Sequence, residues 1–330
     1  MKSPDVRKSA HIQDSKAATR ILRPTMSAKN TIVGLGELLW DIFPDRKELG
    51  GAPANFAYMT SLLGDEGVVA SRVGRDRLGN AAARRLARLG LSRDWLQMDT
   101  KNPTGTVHVS VAEDGQPKFR IAETVAWDHF EWTPGWQALA ARANAVCFGS
   151  LAQRSSNSRE TIRLFLQTLR KDALKVFDVN LRQTFFSGDI LRESAKLADI
   201  LKVNHEELPQ VAQLLGYTAG VKEEPGPWLL RTCGLKLVCV TEAANGSILV
   251  TADGIDRHPG FPTKVADTVG AGDAFTAALV HHHLRGASLE AMNEAANRMG
   301  SWVASHHGAT PKPDVTFIKT VRHASAQPLD

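Results

Sequence analysis

From Thr31 to Asp41 apolar positions run almost unbroken (Thr31-Ile-Val-Gly-Leu-Gly-Glu-Leu-Leu-Trp-Asp41), the pattern of a buried first strand. Residues 52–63 read as a helix that Gly64 stops. Segment 80–89, with Ala, Leu and Arg at helical spacing, reads as another, ended by Gly90. The period changes over 104–122. Thr106-Val-His-Val-Ser-Val-Ala112 alternates, Glu113-Asp-Gly-Gln116 is turn-like and Pro117-Lys-Phe-Arg-Ile121 alternates again, which predicts a hairpin. From about residue 144 short apolar strands (145–148, 174–177, 200–203, 237–240) alternate with helical stretches near 157–170, 189–197 and 206–215. That alternation predicts an α/β fold, a parallel sheet with helices on both faces. The hairpin interrupts it and is expected to project from the body as a small sheet. The last dozen residues read as a tail.

Composition narrows the class. The apolar fraction of 43% suffices for a sizeable core, and no run of about 18 apolar residues predicts a membrane span. Cys147, Cys233 and Cys239 are scattered and odd in number, which points to a reduced, cytoplasmic setting rather than a disulfide framework. The formal charge of +5 lies wholly within residues 1–29 (Lys2, Arg7, Lys8, Lys16, Arg20, Arg23 and Lys29 against Asp5 and Asp14). The rest of the chain is neutral, so a nucleic-acid groove is not expected there. Residues 1–29 read as a tail, or as a start assigned too early with Met26 the true beginning. Two aspartates and the lack of an apolar face weigh against a transit peptide.

The chemistry concentrates in Asp267-Thr-Val-Gly-Ala-Gly-Asp-Ala-Phe275. Gly270, Ala271 and Gly272 run into an apolar helical stretch. Small residues admit close backbone approach, and the free amides and dipole of a helix start favour an anion. Such a hole would stabilise charge on a transferring phosphoryl group, while Asp273 beside it takes the proton of an attacking hydroxyl. The same residues also describe a tight turn with Asp273 capping a helix.

The wider pattern resembles the ribokinase-like (PfkB) carbohydrate kinases. Asp-Thr-x-Gly-Ala-Gly-Asp-x-Phe is similar to that family's signature. Gly50-Gly-Ala-Pro-Ala-Asn55, Gly74-Arg-Asp-Arg-Leu-Gly79, Asp178-Val-Asn-Leu-Arg182, Asn204-His-Glu-Glu207 and Gly308-Ala-Thr310 follow in family order, across roughly 31–313. The resemblance implies a three-layer α/β/α ribokinase-like fold. Its kinase domain would span 30–315, with a β lid from about 40–50 and 101–123 and a tail over 316–330. It implies MgATP as phosphoryl donor and a sugar as acceptor. Asp273 would be the base and 270–272 the anion hole, with Asp41, Gly51, Asn55 and Arg182 on the sugar. Asn204 and Glu207 would arrange Mg²⁺ and phosphate, and Thr241, Gly246 and Asn297 would lie along the nucleotide. A K⁺ site would fall at Asp267, Val269, Val303 and Gly308, mostly through backbone carbonyls. Most of these positions also have a plain alternative: a turn residue for Asp41, a helix cap for Asn55, a surface arginine for Arg182, a solvated helical residue for Asn297. Ala243 stands where a glycine is usual, which matters if that position needs positive φ.

Gly36-Glu-Leu-Leu-Trp-Asp41 and Phe148-Gly-Ser-Leu-Ala-Gln-Arg154 look most like bacterial fructokinases, so fructose is the expected acceptor. Ribose, 2-keto-3-deoxygluconate, another ketose or a nucleoside stay open, as does a non-catalytic binding protein on the same fold. The lid edge offers a surface for a homodimer. His281-His-His283 is not expected to bind a metal, because successive helical residues diverge by about 100°.

Overall fold

The computed structural model describes residues 29–111, 117–218 and 220–323. Nine strands form the main sheet in the order β13 (Ile255–His258), β12 (Ser247–Val250), β11 (Leu237–Thr241), β10 (Ile200–Asn204), β9 (Leu174–Asp178), β8 (Ala145–Phe148), β1 (Thr31–Leu35), β4 (Glu66–Gly74) and β5 (Leu96–Asp99). From β11 to β5 every pairing is parallel, whereas β12 and β13 form an antiparallel extension. The central strands are apolar on consecutive positions because both faces are covered. Alternate residues serve opposite cores: Ile32, Ala145 and Cys147 face one, Val33, Val146 and Phe148 the other. The first core is closed by α1 (Ala52–Leu62), α2 (Arg77–Arg88), α8 (Ala271–His283), α9 (Leu289–Ala304) and α10 (Val315–Arg322). The second is closed by α3 (Pro134–Arg142), α4 (Ser156–Thr168), α5 (Gly188–Leu197), α6 (Leu208–Leu215) and α7 (Pro225–Cys233). These are the three layers expected.

A second sheet has the order β3 (Lys47–Gly50), β2 (Leu39–Ile42), β6 (Gly105–Val111) and β7 (Pro117–Ile121). It joins the two segments expected to make the lid, with β2 and β6 parallel at its centre. The turn expected at 113–116 lies outside the described residues. The Gly74–Gly79 segment anchors this sheet to the body. Asp76 accepts from the amides of Gly79 (2.7 Å) and Thr104 (2.8 Å) and from the Thr104 hydroxyl (2.8 Å), capping α2 and holding the chain just before β6.

Two expectations need correction. The run 31–41 is two strands in different sheets, β1 and β2, broken at Gly36–Leu38. The apolar run hides the break because β1 and the start of β2, Leu39 and Trp40, are both buried. Residues 315–322 are helical rather than tail: Asp314 caps α10, and Ile318 and Val321, one turn apart, seal the first core. Among the described residues no helix is long and apolar enough to cross a membrane.

Candidate active site

The start of α8 is built on glycine. Gly270 holds φ 77°, and a Cβ there would stand 2.5 Å from the Cβ of Ala309, so any side chain is excluded twice. The amide of Ala271 donates to the Thr268 carbonyl (3.2 Å). The free donors expected across 270–272 are therefore those of Gly270 and Gly272, joined by Asp273, among the described residues. An anion at this helix start would meet these amides and the positive end of the α8 dipole.

Asp273 lies half-buried in the first turn of α8, and the Asn55 amide group of α1 donates to its Oδ2 at 2.8 Å. Burial pushes its pKa up to about 6, and the neighbouring Asp178 adds to the rise. Asn55, Lys202 and Arg182 pull the other way. Asn55 is thus a partner of Asp273 rather than a simple helix cap; α1 is capped by Gly51, with no side-chain bond. Behind the turn, Lys202 Nζ lies 3.0 and 3.1 Å from the two oxygens of Asp178.

Of the residues expected on the sugar, Asp41 lies on β2 and Gly51 between β3 and α1. Asp41 Oδ2 lies against Gly50, 2.2 Å from where a Cβ would be, so glycine leaves room for the carboxylate. Burial, and then Glu48, pushes the Asp41 pKa up to about 6. Gly51 has φ 112°, and a Cβ there would meet the Glu37 carbonyl at 2.4 Å. The Arg182 side chain is exposed and donates to the Leu181 carbonyl (2.9 Å). Its charge opposes the rise in pKa of Asp41, Glu37 and Asp273.

Glu37 was not among the expected residues. It is 5% exposed, and it lines a cavity of ≈ 20 Å³ with Phe56, Cys147, Asp178 and Asp273. Burial pushes its pKa up to about 7, with Asp273 adding and Arg182 opposing. Lys202 was missed as well. The signal for both was available: a lone charge inside an apolar run.

Among the residues expected along the nucleotide, Asn204 and Thr241 lie opposite each other where β10 and β11 end together. Asn204 and Glu207 cap each other: the Glu207 amide donates to Asn204 Oδ1 (2.8 Å) and the Asn204 amide to Glu207 Oε2 (3.2 Å). Glu207 Oε1 also accepts the Leu181 amide (2.8 Å). Gly246 has φ 85°, and a Cβ would collide with the His258 carbonyl at 1.9 Å. Ala243 has φ 53°, so alanine occupies the left-handed conformation that a glycine would hold without strain. Asn297 is buried rather than solvated. Its Nδ2 reaches Ser247 Oγ (2.7 Å), the Asn293 carbonyl (2.9 Å) and Asn293 Oδ1 (3.0 Å).

Asp267 closes the loop before α8. Its Oδ1 accepts the Val269 amide and its Oδ2 the Gly308 amide, both at 3.0 Å. The Val303 carbonyl accepts the His306 amide at 2.9 Å. Both Asp267 oxygens and the Val303 carbonyl thus each already accept a backbone amide. His281 and His282 do not converge: the first bonds Asp65 (2.6 Å), the second the Val321 carbonyl (2.8 Å).

A half-buried carboxylate at a glycine-built helix start, beside free backbone amides, has the chemistry to take a hydroxyl proton next to an anion. Residues 36–315 match the sequence profile described as pfkB family carbohydrate kinase. The chain belongs to the pfkB carbohydrate kinase family. It is an ATP-dependent sugar kinase. An uncharacterised sugar kinase of Pyrococcus horikoshii is 30% identical over 304 residues, covering 86% of this chain and 93% of the relative. The structure of that relative in complex with ATP superposes with a TM-score of 0.73 at 27% identity, covering 88% of this chain and 99% of the other. Fructokinase-2 of Zea mays is 27% identical over 308 residues, 86% of this chain and 90% of its own. The aminoimidazole riboside kinase of Salmonella typhimurium is 26% identical over 325 residues, 92% of this chain and 99% of its own. The pfkB relatives thus include kinases named for different acceptors.

Proposed function

We propose that this pfkB kinase phosphorylates fructose, with Asp273 as general base and the amides at Gly270 and Gly272 as the anion hole. The observation that carries this reading is the seating of Asp273. It is desolvated, held by Asn55 at 2.8 Å, and one turn from free amides at a helix start. A carboxylate with a pKa near 6 is ionised at neutral pH, yet basic enough to take a hydroxyl proton as the oxygen attacks. MgATP, when bound, supplies the phosphoryl group. Asp41, Gly51, Asn55 and Arg182 orient the acceptor, the two carbonyl-type side chains accepting from sugar hydroxyls and the guanidinium donating. The second sheet covers this side and excludes water, which otherwise competes with the sugar.

Asn204 and Glu207 serve Mg²⁺ through water, since three of their oxygens already accept backbone amides and Mg²⁺ keeps much of its hydration. Thr241, Gly246 and Asn297 lie along the nucleotide. Asp267, Val269, Val303 and Gly308 frame a monovalent cation, with the Asp267 carboxylate shaping the loop instead of binding the ion. Fructose is favoured over other acceptors by the Gly36–Asp41 and Phe148–Arg154 stretches and by fructokinases among the relatives. The test is steady-state ADP formation with MgATP against fructose, ribose, 2-keto-3-deoxygluconate, glucose and adenosine, with and without K⁺. Preference for fructose in kcat/KM is expected; preference for another acceptor would refute the substrate and leave the kinase.

A further inference from the structure

We propose that Asp178 and Lys202 form a buried dipole serving the transfer, its positive end behind Gly272 and its negative end towards Asp273. The inference rests on Asp273 being the base. Lys202 is the one charged residue of β10, 8% exposed, and Asp178 ends β9 at 6%. An ammonium has three N–H donors and no acceptor capacity. Two point to the Asp178 oxygens at 3.0 and 3.1 Å, which leaves one. Nζ also lies 3.0 Å from where a Cβ on residue 272 would stand, so glycine lets the ammonium rest against the first turn of α8. Thr276 Oγ1 ties the pair to that turn, 3.1 Å from Asp178 Oδ2 and 2.9 Å from the Gly272 carbonyl.

Stability alone does not account for this pair. A buried ion pair is commonly no better for the fold than apolar residues of the same volume, and the strand is otherwise apolar. Its placement has a use in phosphoryl transfer, where negative charge grows on the transferring group as the base gains a proton. A positive charge behind the anion hole favours the first change. A carboxylate near the base favours the second, and Asp178 indeed outweighs Lys202 in its effect on Asp273. The other groups acting on Asp273 are Asn55 and Arg182, with Glu37 coupled to it across the small cavity. Asp178 and Lys202 are positioning residues, since they act through Gly272 and Asp273.

The test compares wild type, D178N, the charge-neutral pair D178N/K202M and D273N, each with MgATP and the preferred sugar. D178N/K202M should fold, because no charge is left unpaired. Its kcat should fall about 100-fold with KM for sugar within about threefold, as expected for lost transition-state electrostatics. The acid limb of kcat/KM should move to lower pH in the pair, and further in D178N, where Lys202 stands alone. Wild-type kcat and an unmoved limb in both variants would overturn the inference, leaving the pair a structural tie. Wild-type turnover in D273N would instead overturn the base assignment beneath it.

Discussion

Replacing Glu37 by glutamine removes a charge the fold holds unwillingly, and the gain should depend on pH in a defined way. The glutamate is 5% exposed, and burial raises its pKa from 4.5 to about 7. Between those values the folded protein keeps a proton that the unfolded chain has released. Stability therefore falls as pH rises through this window, is least affected below 4.5, and carries the full penalty above about 7. At 1.36 kcal/mol for each pH unit, the penalty is about 3 kcal/mol. Glutamine keeps the shape and an acceptor for the Ala52 amide but cannot ionise. The assay is urea unfolding of both proteins, without ligands, from pH 5 to 8.5. Asp41 and Asp273, whose pKa values are also raised, contribute similar slopes to both proteins and largely cancel. E37Q should exceed wild type by less than about 1 kcal/mol at pH 5 and by up to about 3 kcal/mol at pH 8.5. An offset independent of pH, or a less stable variant at pH 8.5, would refute the reasoning.

Other outcomes follow from the same geometry. With Asp273 as the base, kcat/KM should rise with pH through about 6 and then level; a flat profile from pH 5 to 8 would count against it. Asp76→Ala removes the cap of α2 and the hold on Thr104, and should cost about 2 kcal/mol in urea unfolding; less than about 0.5 would show the bonds to be dispensable. Ala243→Gly relieves a residue at φ 53° and should raise stability by up to about 1 kcal/mol, checked by thermal unfolding; a loss would mean the methyl group packs favourably.

The sequence exposed the repeating part of this fold well. The four strands expected after residue 144 match the observed β8 to β11 to within a residue, because short apolar runs alternate with amphipathic helices at clear boundaries, whereas β12, β13 and α7 were not expected. The split of Thr31–Asp41 was not legible. Periodicity reports burial, and β1 and the first half of β2 are buried, so the change of sheet leaves no mark. Asp273 could be found because small residues before a helix have a local physical meaning. Glu37 and Lys202 carry only the weaker signal of a lone charge inside an apolar run; their significance depends on Asp273 and Asp178, which only the tertiary fold brings beside them. Asn204 and Glu207 were legible as a pair, whereas the third bond, from the Leu181 amide to Glu207, comes from a distant segment and was not. Ala243 was legible as an anomaly, and its φ shows why: the backbone keeps the glycine conformation.

The most direct test of the central claim is turnover of Asp273→Asn beside wild type, with MgATP and the preferred sugar, in protein shown by circular dichroism to be folded. The account predicts that kcat falls by about 10²–10⁴ while ATP still binds with near wild-type affinity. Turnover within about tenfold of wild type would contradict the assignment of Asp273 as the base.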